Sequence, residues 1–110
     1  MKQYVVDELR PDDFRKLKEY LDASFAVPGF DRLYWLPLDE HLYAEVQKSH
    51  SDCQPFYFAL ELTDQRLACE LLVRTNNRVR CDCIRYATET QRNWLLEVVD
   101  SFFDRLNITI

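Results

Sequence analysis

An alternation of apolar and polar residues with a period of two runs through residues 56–73 and constrains the fold more than any other feature. Phe56, Phe58, Leu60 and Leu62 alternate with more polar neighbours, and residues 67–73 repeat the pattern. Side chains of a strand point alternately to opposite faces, so this alternation predicts strands with one buried face. With a third strand over residues 78–86, the sequence predicts an antiparallel meander over about 55–87.

Two-residue loops would fix the register of this meander. Asp64-Gln65 fits the first tight turn, and Asn76-Asn77 fits the second because asparagine tolerates positive φ. Residues directly opposite each other in the two hairpins are then Leu62 with Leu67, Leu60 with Cys69, Leu72 with Cys81, and Cys69 with Ile84.

This register separates the sheet into a conventional apolar face and a mixed one. The mixed face has small and apolar side chains beside charged ones, a combination typical of protein interfaces. The alternative is that the first helix or the first strand covers this face. The residues predicted to bind a partner there are Tyr57, Ala59, Leu72, Val79, Cys81 and Cys83.

Apolar residues occur at helical spacing both before and after the meander in the sequence. It predicts helices over about 11–26, 39–52 and 88–107, the last one beginning with a Thr88 to Gln91 capping box. Short apolar runs at residues 4–6 and 33–36 add one or two N-terminal strands. Nothing marks an internal boundary, so the prediction is one α+β domain over residues 1–110.

Composition argues against several kinds of partner. The net charge of -5 and the pI of about 5.0 disfavour binding to nucleic acid or to anionic membranes. No apolar run approaches the roughly 20 residues that span a bilayer, and the first residues lack an apolar signal region. We therefore expect a cytoplasmic protein.

Glycine content argues against several enzyme classes. Gly29 is the only glycine in the chain. Phosphate-binding loops, dinucleotide-binding fingerprints and the nucleophile elbow of serine hydrolases all need glycines at defined positions. The sequence thus indicates no catalytic residues and no cofactor, and favours a protein that is not an enzyme.

Four residues could in principle form a tetrahedral zinc shell. His50-x-x-Cys53 and Cys81-x-Cys83 together supply one imidazole and three thiols. Against this, the predicted strand places Cys81 and Cys83 on one face of the sheet, while the helix with His50 should pack on the other. The expectation from the sequence is therefore no metal, and ordinary reduced thiols.

Two smaller sites remain as alternatives. Tyr34, Trp35, His50 and Cys53 flank the junction between the second helix and the meander, where a ligand pocket could form. A cluster of arginines could form an anion-binding patch. The alternative interpretation is a charged edge strand, which charge protects from aggregation. The residues of this cluster are Arg74, Arg78, Arg80 and Arg85.

The functional hypothesis from the sequence is a non-enzymatic module that binds a protein partner, or a second copy of itself as a homodimer, through the mixed sheet face. The alternative is a metal-binding or small-ligand-binding protein, with or without catalysis, centred on His50 and Cys53.

Overall fold

The structure is a computed structural model and describes residues 2–75 and 80–109. Its strands are β1 (Gln3–Val6), β2 (Leu33–Pro37), β3 (Tyr57–Leu62), β4 (Leu67–Arg74) and β5 (Arg85–Tyr86). Its α-helices are α1 (Pro11–Phe25), α2 (Glu45–Lys48) and α3 (Glu89–Arg105). Two 3-10 turns flank α2, the first at Glu40–Leu42 and the second at Ser51–Cys53.

The strands form one antiparallel sheet in the order β1-β4-β3-β2, and β5 also pairs with β4. The α+β class predicted from the sequence is confirmed, including both short N-terminal strands. The capping box at the start of α3 is also present, with Thr88 Oγ1 accepting from the backbone N–H of Gln91 at 3.2 Å. No helix among the described residues combines the length and apolar character needed to cross a bilayer.

The register of the first hairpin agrees with the prediction, and that of the second does not. Leu62 pairs with Leu67 and Leu60 with Cys69, as expected. The predicted pairs Leu72 with Cys81 and Cys69 with Ile84 are wrong, because Tyr86 lies opposite Leu72 and β1 occupies the other side of β4 from Leu67 to Glu70. The predicted turn at Asn76-Asn77 lies outside the described residues.

Both long helices pack on the same face of the sheet. A row of four cross-strand neighbours crosses that face, and its members are Tyr4, Cys69, Leu60 and Tyr34. At one end, the hydroxyl of Tyr34 donates to Asp22 of α1 at 2.6 Å. At the other end, the hydroxyl of Tyr4 donates to Asp100 of α3 at 2.6 Å. The helices therefore lie side by side above this row.

The core fills the space between this face and the two helices. Helix α1 contributes Leu17 and Leu21, helix α3 contributes Leu95, Val99 and Phe103, and all five side chains are buried. Complete burial of one such side chain stabilises a fold by about 1.5–3 kcal/mol. The two long helices therefore cover this face of the sheet, and neither of them lies on the opposite face.

The opposite face, called the open face below, displays half-buried Leu33, Trp35, Tyr57 and Ala59. The rings of Trp35 and Tyr57 meet edge to face with centroids 4.9 Å apart. The prediction that Cys81 and Cys83 share this face is wrong, because the described residues 80–84 form a turn instead of a strand. Val79 lies outside the described residues.

The predicted helix over 39–52 is replaced by three short segments, the two 3-10 turns and α2. The chain is extended at Tyr43, where φ is -59° and ψ 135°, and at Ala44, where φ is -69° and ψ 162°. Tyr43 and Gln47 are the buried anchors here, and Leu42 and Val46 are only half-buried. These breaks turn the chain so that His50, two residues after the end of α2, contacts the turn that contains Cys81.

Candidate metal centre

His50 and Cys53 are held by the second 3-10 turn. His50 is the residue before this turn, and its carbonyl oxygen accepts a hydrogen bond from the backbone N–H of Cys53 at 3.0 Å. With only two residues between them, both side chains can reach the same point in space. Cys53 is 3% exposed and His50 is half-buried.

Cys81 and Cys83 come from a turn just before β5. The backbone N–H of Ile84 donates to the carbonyl oxygen of Cys81 at 3.0 Å, which closes a four-residue turn. Alternate residues of a strand would point in parallel, whereas a turn lets both sulfur atoms converge. Cys83 is completely buried and Cys81 is partly exposed.

The four side chains converge on one point. One ligand atom from each of His50, Cys53, Cys81 and Cys83 lies within 4.8 Å of the other three. The sulfur atoms of Cys53 and Cys81 are 3.8 Å apart, and Nδ1 of His50 is 3.0 Å from the Cys81 sulfur. Zinc bonds of about 2.3 Å in a tetrahedron separate two bound sulfur atoms by roughly 3.8 Å. The imidazole would withdraw by roughly 0.5 Å to complete the same shell.

The thiols of Cys81 and Cys83 have shifted pKa values. The backbone N–H of Cys83 donates to the Cys81 sulfur and, with side-chain contacts, lowers the pKa of Cys81 to about 7. Burial, followed by the neighbouring sulfur atoms, raises the pKa of Cys83 to about 12. A second negative charge is therefore unfavourable at Cys83 unless a cation balances it.

Buried amides support the turn that carries the cysteines. Gln47 donates from Nε2 to the carbonyl oxygen of Cys83 at 3.3 Å, and its Oε1 accepts from Nε2 of Gln91 at 2.9 Å. Gln47 is 0% and Gln91 1% exposed. Thr75, the residue after β4, donates from its hydroxyl to the carbonyl oxygen of Cys53 at 2.5 Å. Both halves of the cluster are thus tied to the rest of the fold.

A cleft of about 390 Å³ opens beside the cluster. Its lining includes three of the four cluster residues, His50, Cys53 and Cys81, together with Arg80 and Asp52. Cys83 is not part of this lining. Solvent molecules can therefore reach Cys81 through the cleft, while Cys83 is shielded.

The structure brings together only part of the predicted ligand pocket. His50 and Cys53 are neighbours, but grouping Tyr34 and Trp35 with them is wrong. Adjacent residues of a strand point to opposite faces, so Tyr34 points to α1 while Trp35 lies on the open face. Trp35 instead lines a separate groove with Tyr57 and Pro28.

The predicted anion patch stays a prediction. Arg74 is paired with Glu70 on the same strand, Arg80 is exposed beside the cleft, and Arg85 is exposed on β5. Arg78 lies outside the described residues. The Arg74 to Glu70 ion pair favours the alternative of a charged strand surface.

The sequence does not mark Gln47, Thr75 or Gln91 as parts of a site. The capping box predicts a role for Gln91 at the start of the last helix only, and the Ala44-x-x-Gln47 pattern has no side-chain acceptor at its first position. No pattern in the sequence marks Gln47 as a buried residue.

Comparison with protein-family models, with curated proteins and with solved structures found no match to this chain. The interpretation of the cluster therefore depends on its own geometry and chemistry.

Proposed function

We propose that this protein binds one zinc ion through His50, Cys53, Cys81 and Cys83. The observation that carries the proposal is the convergence of four ligand atoms within 4.8 Å, from residues as far apart in the chain as 50 and 83. One imidazole and three thiolates form an established tetrahedral shell for structural zinc.

The donor set favours zinc over harder cations. Calcium and magnesium prefer oxygen ligands, whereas thiolates select zinc and other soft metals. Because four protein ligands fill a tetrahedral shell, this ion would have a structural role: it would join the turn at residues 80–84 to the second 3-10 turn. Reduced thiols are typical of the cytoplasm, which is the compartment we propose.

Metal analysis of protein prepared under reducing conditions tests this function. We expect one zinc ion per chain, and visible absorption typical of a tetrahedral thiolate site when Co²⁺ replaces zinc. The Cys81→Ala variant should lose both signals. The matched control is Cys69→Ala, because Cys69 is a free cysteine that lies in the sheet, outside the cluster.

Circular dichroism of each variant shows whether a loss of metal comes from unfolding. A folded wild-type protein that takes up neither zinc nor Co²⁺ would refute the proposal. Equal metal content in Cys81→Ala and Cys69→Ala would show that the ion lies elsewhere.

A second function, binding to a protein surface through the open face, is favoured by a different observation. The two long helices share one face of the sheet, and the other face carries the Trp35 and Tyr57 pair among half-buried Leu33 and Ala59. Aromatic residues are enriched at the centre of protein interfaces. We propose that this face pairs with a second copy of the chain.

Light scattering over a range of protein concentrations measures this association. We expect a dimer that dissociates on dilution, and a monomer at all concentrations for Trp35→Lys, because a buried ammonium group has no partner there. Phe30→Lys, on an exposed loop residue, is the control. A strict monomer at high concentration contradicts the proposal.

A further inference from the structure

We propose that the zinc site is a redox switch: a peroxide oxidises Cys81 and Cys53 to a disulfide, and the zinc ion leaves. This inference depends on the proposed zinc function and adds its regulation.

Access to solvent selects the cysteine that reacts first. The cleft beside the cluster is lined by Cys81 and Cys53, whereas Cys83 is completely buried and lies outside the lining. The volume of about 390 Å³ admits a molecule as small as hydrogen peroxide. Cys81 is the most exposed cysteine of the cluster, so it meets the oxidant first.

Proximity selects the cysteine that reacts second. The sulfur of Cys53 is 3.8 Å from that of Cys81, so the two sulfur atoms need to approach by only roughly 1.7 Å to reach the ~2.05 Å of a disulfide. Cys69 belongs to the sheet, in the row of residues beneath the helices, and does not take part.

The chemistry balances with the peroxide as the only oxidant. The Cys81 thiolate attacks one peroxide oxygen, the O–O bond breaks, and Cys81 becomes a sulfenic acid as hydroxide leaves. The Cys53 thiolate then attacks the Cys81 sulfur, the S–O bond breaks, and a second hydroxide leaves as the S–S bond forms. The peroxide gains two electrons, and each sulfur atom loses one.

Loss of two ligands removes the metal. After oxidation only His50 and Cys83 could still bind zinc, and two ligands do not complete a tetrahedral shell. Reduction of the disulfide by a dithiol regenerates both thiolates and the site.

Zinc release during titration of the reduced, zinc-loaded protein with hydrogen peroxide tests this inference. A chromogenic chelator reports free zinc, and peptide mapping after alkylation reports the disulfide. We expect one zinc ion released for each disulfide between Cys53 and Cys81, and full rebinding after reduction. Cys69→Ala should release zinc as the wild-type protein does.

The zinc content is measured before peroxide is added, which separates this inference from the function on which it depends. Protein without zinc at that stage overturns both. Zinc that stays bound while peroxide is consumed, or a disulfide that joins another pair of cysteines, overturns the redox switch alone.

Discussion

At the scale of single residues, Tyr34 connects the sheet to α1 through one hydrogen bond. Its side chain is buried, and its hydroxyl donates to Asp22, which also accepts from Lys18 at 2.7 Å. Burial, then the bond to Asp22, raises the pKa of Tyr34, so the phenol stays neutral and can donate. The bonds from Lys18 and Tyr34 lower the pKa of Asp22.

Removal of this hydroxyl should destabilise the protein in a pH-dependent way. We expect Tyr34→Phe to lower the free energy of unfolding by about 1–2 kcal/mol at neutral pH, somewhat less than the loss of a fully buried hydrogen bond to a charged acceptor, because the side chain of Asp22 is 45% exposed. Because the pKa of Asp22 is lowered in the folded state, its carboxylate stabilises the fold above its unfolded pKa of about 4. The difference in the free energy of unfolding between Tyr34→Phe and the wild-type protein should therefore shrink as the pH falls through the pKa of Asp22 in the folded state.

Urea denaturation at several pH values measures this effect. Tyr57→Phe, on the open face, is the matched control and should show a smaller, pH-independent change. A cost of Tyr34→Phe that stays constant down to pH 3 would contradict the role given to Asp22.

At the scale of elements, Gln47 joins α2, α3 and the cysteine turn. Its Oε1 accepts from the backbone N–H of Ala44 and from Gln91, and its Nε2 donates to the carbonyl oxygen of Cys83. Groups that are buried without a partner cost about 1–3 kcal/mol each. One side chain therefore fixes the relative positions of three segments.

Gln47→Met keeps the size of the side chain and removes these hydrogen bonds. We expect a loss of about 2–3 kcal/mol in the free energy of unfolding, and zinc affinity lower by about 10–100-fold, the usual effect of removing a group that positions a ligand. Chelator competition measures the affinity. Gln65→Met, on an exposed turn, should change neither quantity; unchanged zinc affinity in a folded Gln47→Met would show that Gln47 does not position Cys83.

At the scale of the whole molecule, the proposed zinc ion links distant parts of the chain. Residues 50–53 precede β3, whereas residues 81–83 follow β4, so the ion would close a loop that contains the central hairpin. A ligand that binds only the folded state adds about 2.7 kcal/mol at a concentration 100 times its Kd. Global stability should therefore depend on zinc.

Thermal unfolding with zinc and with a chelator measures this dependence. We expect the chelator to lower Tm by about 10 °C, from about 2.7 kcal/mol and roughly 4 °C per kcal/mol for a chain of this size. Cys83→Ala should unfold at the lower Tm with or without zinc. Equal values of Tm for the wild-type protein in zinc and in chelator would contradict a structural ion.

Local patterns were sufficient to predict the α+β class, α1, α3, the two N-terminal strands and the first hairpin. These features depend on neighbours in the chain: helical spacing from Phe14 to Leu21, a capping box at Thr88, and a short turn at Asp64-Gln65 that fixes the pairing of Leu62 with Leu67. The candidate ligands were also visible, because residue types and their spacing are sequence properties.

The spatial arrangement of the four candidate ligands was decided by the tertiary structure. β1 pairs with β4 across more than 60 positions and takes the place that the third strand was predicted to fill. Residues 80–84 then form a turn, which changes Cys81 and Cys83 from parallel strand side chains into converging ones. The periodicity of the sequence indicates which face of the sheet a side chain occupies, but it does not indicate which strand pairs with the edge of β4. The sequence determined that one histidine and three cysteines of suitable chemistry for zinc are present. The pairing of β1 with β4 left residues 80–84 free to form the turn that brings these four side chains together.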